Sequence, residues 1–152
     1  MKKLFVLILT VAMLATMSVT AFAANTTGGK ADITTSIAPT YTVTIPADVN
    51  VQFNATETAF GAIEVTASQI HPDKCIKVAL ATDKELNNAI DNTKVIPYAI
   101  KDSTGAAFTS ATYLTEGDKT ELSIHITADD WNAAYAGEYS DTVTFTITYE
   151  DK

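Results

Sequence analysis

The sequence predicts an all-β protein, an antiparallel immunoglobulin-like β-sandwich of about eight or nine strands that forms a single domain after a signal peptide. Three observations support this prediction. Counted by twos, residues 138–149 place apolar residues on one side, apart from Asp141, and mainly threonines on the other. Shorter segments with the same alternation recur along the chain, with turn residues between them. No segment shows a long helical periodicity, so a sandwich is favoured and a barrel is the lesser option.

The first 23 residues have the three parts of a secretory signal peptide. Two lysines form the charged start, residues 4–15 form the apolar core, and residues 21–23 give the small-x-small cleavage pattern. The apolar core is too short for a membrane anchor, and no stop-transfer charges follow it. We therefore expect a secreted protein with a flexible leader at residues 24–31 and a β-sandwich domain at residues 32–152.

The chain that begins at Ala24, here called the mature chain, is strongly acidic and contains no arginine. Without Lys2 and Lys3, eight lysines face 18 acidic residues, which gives a net charge of −10. Such a surface cannot neutralise phosphates, which argues against nucleic acid and anionic membranes as partners. Cys75 is the single cysteine, so no internal disulfide can form and stability must come from the core.

Alternation predicts the individual strands of the first half of the domain. These predicted strands are residues 33–37, 41–45, 49–53, 60–67 and 76–80. Gly61 predicts a bulge inside the fourth of them. Residues 83–93 differ, because Leu86, Ala89 and Ile90 are spaced three and four apart, which predicts one short helical turn.

The second half continues the same pattern. Strands are predicted at residues 96–100, around Phe108, at 113–114, at 122–126 and in the last segment. Turn sequences separate them at residues 102–105 and 116–118. Residues 128–137 are predicted to be a loop or helical turn that brings Trp131 and Tyr135 near the core.

Residues suited to catalysis or metal binding are few. Cys75, His71 and His125 match no nucleophile elbow and no paired zinc-ligand spacing, so we predict no enzymatic activity, no cofactor and no metal. Calcium is the open alternative in the acidic loop at residues 83–91. Its oxygen-bearing side chains alternate, but the loop lacks the sixth-position glycine, and Lys94 stands where a closing glutamate is required. The alternating residues are Asp83, Glu85, Asn87 and Asp91.

Two stretches resemble known families. Residues 39–46, PTYTVTIP, and residues 130–149 resemble the opening and closing strands of small secreted surface proteins of Gram-positive bacteria. The closing pattern GxYxDTVTFTIxY at residues 137–149 is also similar to the last strand of spore coat protein U and fimbrial-subunit domains. This resemblance implies an extracellular structural or adhesive module. The chain departs from those domains in lacking their usual disulfide, and no LPxTG sorting signal follows Tyr149.

We therefore expect a secreted, non-enzymatic structural or adhesion subunit at the cell surface, pilin-like or coat-like. Its expected partner is a cell-surface protein or glycan, including further copies of itself. Ile33, Thr35 and Ile37 are the predicted face of a strand that is exchanged with a neighbour's exposed sheet edge.

The alternative function is an extracellular carbohydrate-binding module. In that case Trp131, Tyr135 and Tyr113 would stack on sugar rings from loops of the sandwich. The competing interpretation of Trp131 is a structural plug that closes one end of the sandwich.

Overall fold

The computed structural model describes residues 8–12 and 30–152. The predicted cleavage pattern at residues 21–23 and most of the predicted leader lie outside the described residues. The described part contains eleven strands and one short helix, and its paired strands run antiparallel, so the prediction of an all-β protein is confirmed.

The elements follow one another closely along the chain. In order they are β1 (Ile8–Ala12), β2 (Thr40–Thr44), β3 (Glu57–Gln69), β4 (Lys74–Ala81), β5 (Glu85–Asn88), β6 (Val95–Pro97), β7 (Ala99–Asp102), β8 (Ser110–Tyr113), β9 (Lys119–His125), α1 (Ala128–Ala133), β10 (Tyr139–Ser140) and β11 (Thr144–Asp151). Ten of these strands lie within residues 40–151 of the described chain, against the eight or nine that the alternation predicts.

The strands form three sheets. The first has the order β1-β2-β3-β9-β7, the second β11-β4-β8, and the third β10-β5-β6. The second and third sheets are connected directly along the chain. The strand β4 of the second sheet is followed by β5 of the third, and β10 of the third is followed by β11 of the second.

Side chains from all three sheets meet in one hydrophobic core. Representative buried members are Ile63, Val65, Ile76, Val78 and Ile96. Within residues 30–152, every buried apolar side chain lies between Val43 and Ile126. These side chains belong to the mature chain, which we expect to fold without the signal peptide.

Several predicted strands are confirmed, together with the irregularity at Gly61. The strands β2, β4 and β9 coincide with alternating segments of the sequence. In β3, the pairing with β9 shifts register between Ala59 and Gly61, which is the predicted bulge. Gly61 has φ +123°, a conformation that side-chain-bearing residues rarely adopt, so glycine suits this position.

Several local predictions are wrong. The predicted strand at residues 96–100 is divided at Tyr98 into β6 and β7, the last predicted strand is interrupted at residues 141–143, and Phe108 lies outside the strands. Residues 33–37 form no strand, and Ile33 and Ile37 are 98% and 68% exposed, because no neighbouring strand pairs with this segment. Residues 49–53 form a loop that ends in a turn, where Asn54 has φ +65°. The predicted helical turn at residues 83–93 is instead the strand β5 and a following turn.

That turn is formed by a buried amide. The Asn88 side chain is 7% exposed, and its Oδ1 accepts hydrogen bonds from the backbone N–H groups of Ile90 and Asp91, at 2.9 and 3.2 Å. The three- and four-residue spacing of Leu86, Ala89 and Ile90 therefore comes from a strand followed by an Asx-type turn.

We expect Ile63→Ala to destabilise the protein by about 2–5 kcal/mol, because it removes buried methyl groups and leaves a cavity. The measurement is the free energy of unfolding in urea. Ile90→Ala is the matched control, since Ile90 is 92% exposed and its truncation should cost at most about 0.5 kcal/mol. Equal losses for the two variants would contradict the assignment of the core.

Candidate functional site

The first and second sheets meet differently on their two sides. On one side the chain crosses between sheets, where the backbone of Phe108 donates to Ile100 at 2.9 Å and the backbone of Leu80 donates to Thr109 at 2.8 Å. On the other side, the second sheet ends at β11, and β2 of the first sheet carries β1 on its outer edge. Here the rings of Tyr41 and Tyr149 stack, with centroids 5.7 Å apart. We call this side, between β2 and β11, the seam.

The seam leaves an apolar strand face incompletely covered. Phe145, Ile147 and Tyr149 alternate along β11 on the face predicted to be buried, yet each is only partly buried. Phe145 lies against Phe60 of β3, with ring centroids 6.1 Å apart.

A groove with a volume of 1420 Å³ continues the seam beyond the end of β2. Its walls are the loop at residues 45–51 and the segment at residues 134–145, and Phe60, Ile96 and Phe145 contribute apolar surface. Asp48, Glu138 and Asp141 supply its charged side chains, and no lysine, arginine or histidine lines it. The groove is therefore apolar inside and acidic in its charge.

Trp131 joins the helix α1 to the loop that borders this groove. Thr127 caps the helix by accepting a hydrogen bond from the backbone of Asp130 at 3.1 Å. The indole Nε1 of Trp131 donates to the carbonyl oxygen of Ala55 at 2.9 Å, and its ring meets Phe53 edge-on at a centroid distance of 5.6 Å. This partly buried position agrees with the interpretation of Trp131 as a plug.

Of the three aromatic residues predicted to bind sugars, Trp131 and Tyr135 line the groove, whereas Tyr113 does not. Tyr135 is 63% exposed, and Lys94 Nζ lies 4.9 Å from the centroid of its ring. Tyr113 is only 2% exposed, and its hydroxyl donates to Thr120 at 2.8 Å, so its prediction as a stacking platform is wrong. Alternation on β8 buries Tyr113, because the residue ends a strand that pairs with the central strand β4.

Phe53 is an aromatic residue that the sequence did not single out as a site. It is 76% exposed beside Trp131, although the alternation of residues 49–53 suggested a core strand. The neighbouring Asn54, which tolerates positive φ, is the sequence signal that favours a turn here.

Asp141 interrupts the last strand and forms a polar cluster on the wall of the groove. The Tyr98 hydroxyl donates to Asp141 Oδ2, and the Thr82 hydroxyl donates to the same oxygen at 2.9 Å. The backbone N–H of Thr142 donates to Asp141 Oδ1 at 2.6 Å. These bonds explain why an acidic residue stands within an apolar row and why residues 141–143 separate β10 from β11.

Burial raises the pKa of the Tyr98 hydroxyl well above its usual value, and the hydrogen bond to Asp141 raises it further. A neutral, donating Tyr98 is thus stabilised beside the carboxylate. The cluster holds the segment between β10 and β11 against Tyr98, which lies between β6 and β7.

Beside this cluster, Gly137 allows the chain to pass closely over Asn88. Gly137 has φ +150°, and a Cβ atom on it would lie 2.5 Å from Asn88 Nδ2. The backbone of Ala89 donates to Glu138 at 2.8 Å, which fixes the rim of the groove.

The residues considered for catalysis lie apart from the groove. Cys75 is buried with its Sγ 3.7 Å from the carbonyl oxygen of Asp151, and exposed His71 pairs with Asp73. His125 Nε2 lies 2.9 Å from the Ser123 hydroxyl and 3.6 Å from Glu57 Oε1. Both contacts use the same ring nitrogen, so this is not the arrangement of a nucleophile–base–acid relay, in which the acid binds the other nitrogen.

The acidic segment considered for calcium does not form a continuous loop. Glu85 and Asn87 lie in β5, while Asp83 accepts from the backbone of Glu85 at 3.2 Å and Asp91 accepts from the backbone of Thr93 at 3.0 Å. Hydrogen bonds from Thr93 also lower the pKa of Asp91. Within the described ranges, no cluster of three or more His, Cys, Asp or Glu side chains could hold a metal ion.

Comparison with protein-family models, with curated proteins and with solved structures found no match. In the described part of the chain, no helix is long and apolar enough to cross a membrane.

We expect Tyr98→Phe to destabilise the protein by about 1–3 kcal/mol, because it removes a donor from the Asp141 carboxylate. The effect should depend on pH. Since the pKa of Tyr98 is higher in the folded than in the unfolded chain, its contribution is complete below about pH 10 and is lost as the pH rises further. Urea unfolding at several pH values measures this contribution.

The control for this variant is Tyr135→Phe, which removes a hydroxyl from an exposed ring. Its free energy of unfolding should follow that of the unaltered protein at every pH. The loss caused by Tyr98→Phe should become smaller above pH 10, and a constant loss would contradict the role of the hydroxyl proton.

Proposed function

We propose that this protein is a secreted, non-enzymatic structural or adhesion subunit of a bacterial cell surface, built on an immunoglobulin-like sandwich. The signal-peptide pattern, the all-β fold and the resemblance at the closing strand support this proposal. The observation that carries it is the apolar segment at residues 33–37, which is exposed and unpaired directly before β2. In the mature chain, which would lack β1, the strand β2 would be the edge of the first sheet.

Exposure of this segment is costly unless a partner covers it. Full burial of one isoleucine side chain stabilises a protein by roughly 1.5–3 kcal/mol, and the segment exposes two. Ile33, Thr35 and Ile37 alternate with polar residues, so an extended conformation presents them on one face. Addition of this segment to a sheet edge of a neighbouring copy would bury that face and pair its backbone.

The net charge of the mature chain fits an extracellular subunit with selective contacts. Like charges keep separate copies soluble, so association has to come from a specific apolar and backbone contact. The expected partner is a further copy of the chain or another protein or glycan of the cell surface.

The mature chain should form dimers or larger assemblies, and a chain that begins at residue 39 should remain monomeric. Sedimentation velocity measures the size of both. The double variant Ile33→Asp, Ile37→Asp should also be monomeric, because charge on the apolar face prevents its burial. The matched variant Thr34→Asp, Ser36→Asp carries the same charge on the other face and should still assemble.

Equal size and equal stability of the long and short chains would rule out strand exchange. If both double variants abolish assembly, the added charge alone explains the effect, and this result would also contradict the proposal.

The second candidate function is carbohydrate binding. Phe53 and Tyr135 are exposed aromatic rings near the mouth of the groove, and Trp131 lies beside Phe53. Flat rings around an elongated groove could stack on the faces of sugars, while Asp48 and Glu138 could accept hydrogen bonds from hydroxyl groups.

Binding at this groove should change the fluorescence of Trp131, the only tryptophan, during titration with soluble cell-wall and plant oligosaccharides. Phe53→Ala and Tyr135→Ala should each weaken such binding by up to about tenfold, which is the effect of losing one aromatic contact. Ile90→Ala, which alters an exposed residue outside the groove lining, should leave it unchanged. Binding that survives both aromatic substitutions would contradict this location.

A further inference from the structure

We propose that the outer edge of β2 is the acceptor edge for residues 33–37 of a second copy, and that the signal peptide occupies this edge until it is removed. This inference rests on the proposed function and specifies its contact. The observation behind it is the strand β1, which pairs antiparallel with β2 along its whole length, from Ile8 opposite Thr44 to Ala12 opposite Thr40. The edge therefore accepts an apolar strand of five residues.

The sequence assigns this occupant to the predicted signal peptide. Residues 8–12 read ILTVA and fall in its apolar core, so the mature chain lacks them. Removal of β1 exposes the backbone N–H and C=O groups along one side of β2. A free strand edge of this kind readily pairs with a strand from another chain.

Residues 33–37 supply a strand of the required length and pattern. Residues directly opposite each other in an antiparallel pair lie on the same face of the sheet. With Ile37 opposite Tyr41, Thr35 falls opposite Val43 and Ile33 falls opposite Ile45. Val43 belongs to the core and Tyr41 packs against it, so this register directs the apolar face of the donor towards the seam.

Registers shifted by one residue are disfavoured. They would place Thr34 and Ser36 on the face of Val43 and would turn both isoleucines towards solvent. The alternation of the donor and the burial pattern of β2 thus restrict the pairing to registers that keep both isoleucines on the face of Val43, and the proposed register places Ile37 opposite Tyr41.

The donor has to come from a second copy. For the segment to fold back on its own β2 in this register, the chain would have to reverse within residues 38–40. Pro39 lies in the middle of that stretch, where it keeps Ala38 out of the αR conformation that a tight reversal of this length requires. In the structure, β1 occupies this edge of β2, and residues 33–37 are exposed.

Cross-linking between two differently tagged mature chains tests this contact. One chain carries Ser36→Cys, which lies opposite Thr42 in the proposed register, and the other carries Thr42→Cys. The competing edge is β11, so the matched partner carries Thr146→Cys, an exposed threonine in the middle of that strand. Cys75 is retained in all chains because it is buried, and chains without added cysteines measure the background.

After mild oxidation, the Ser36→Cys and Thr42→Cys pair should give at least about tenfold more mixed dimer than the Ser36→Cys and Thr146→Cys pair, because only opposed residues meet disulfide geometry. Adding Ile33→Asp and Ile37→Asp to the donor chain should abolish the product. The same cysteines in full chains whose signal peptide is made uncleavable should give only background, since β1 then occupies the edge.

The possible results separate this inference from the proposed function. Preferential linkage to Thr146→Cys, or assembly without linkage to Thr42→Cys, overturns the β2 edge but leaves strand exchange intact. Equal linkage in mature and uncleaved chains overturns the role of the signal peptide. Absence of both linkage and assembly in the mature chain overturns the inference together with the strand exchange on which it rests.

Discussion

The architecture depends on the strand β3, which pairs with two different strands on its two sides. Its first half pairs with β9, its second half pairs with β2, and Glu64 is common to both registers. The bulge next to Gly61 allows this change, and Ile63 and Val65 just beyond it are completely buried. Because β3 carries β2 on its outer side, β2 faces β11 across the seam and would be the sheet edge in a mature chain without β1. The position of the seam thus follows from the change of pairing partner along β3.

Asp141 determines how the opposite wall of the seam is built. A continuous strand from residue 139 to residue 151 would present one unbroken edge. The Asp141 carboxylate instead accepts hydrogen bonds from Tyr98 and Thr82, and the chain leaves the regular strand conformation for three residues. The wall is therefore a regular strand edge along β11 and an irregular surface at residues 141–143.

Local periodicity predicted the core strands but not the segments that depend on neighbours. The alternation around Ile76 and Leu122 identified buried strands, because both faces of such a strand are determined by its own residues. The same alternation at residues 33–37 and 49–53 was misleading, since pairing requires a partner that a single segment does not specify. Trp131 packs against the core as predicted, whereas Tyr135, which was also predicted to lie near the core, is 63% exposed. The groove joins segments about 90 residues apart, from Asp48 to Glu138, which no local pattern reveals.

The order of segments around Pro39 limits the size of an exchanged assembly. The donor segment directly precedes the acceptor strand in the same chain, and the proposed register is symmetric about residue 39. Two copies that exchange in this way therefore form two long antiparallel strands related by a two-fold axis, and each copy gives and receives one segment. In such an isologous contact the β2 edges of both copies are paired, so no β2 edge remains for a third copy. The exchanged unit is a closed pair, and growth into a filament would need a second surface such as the groove.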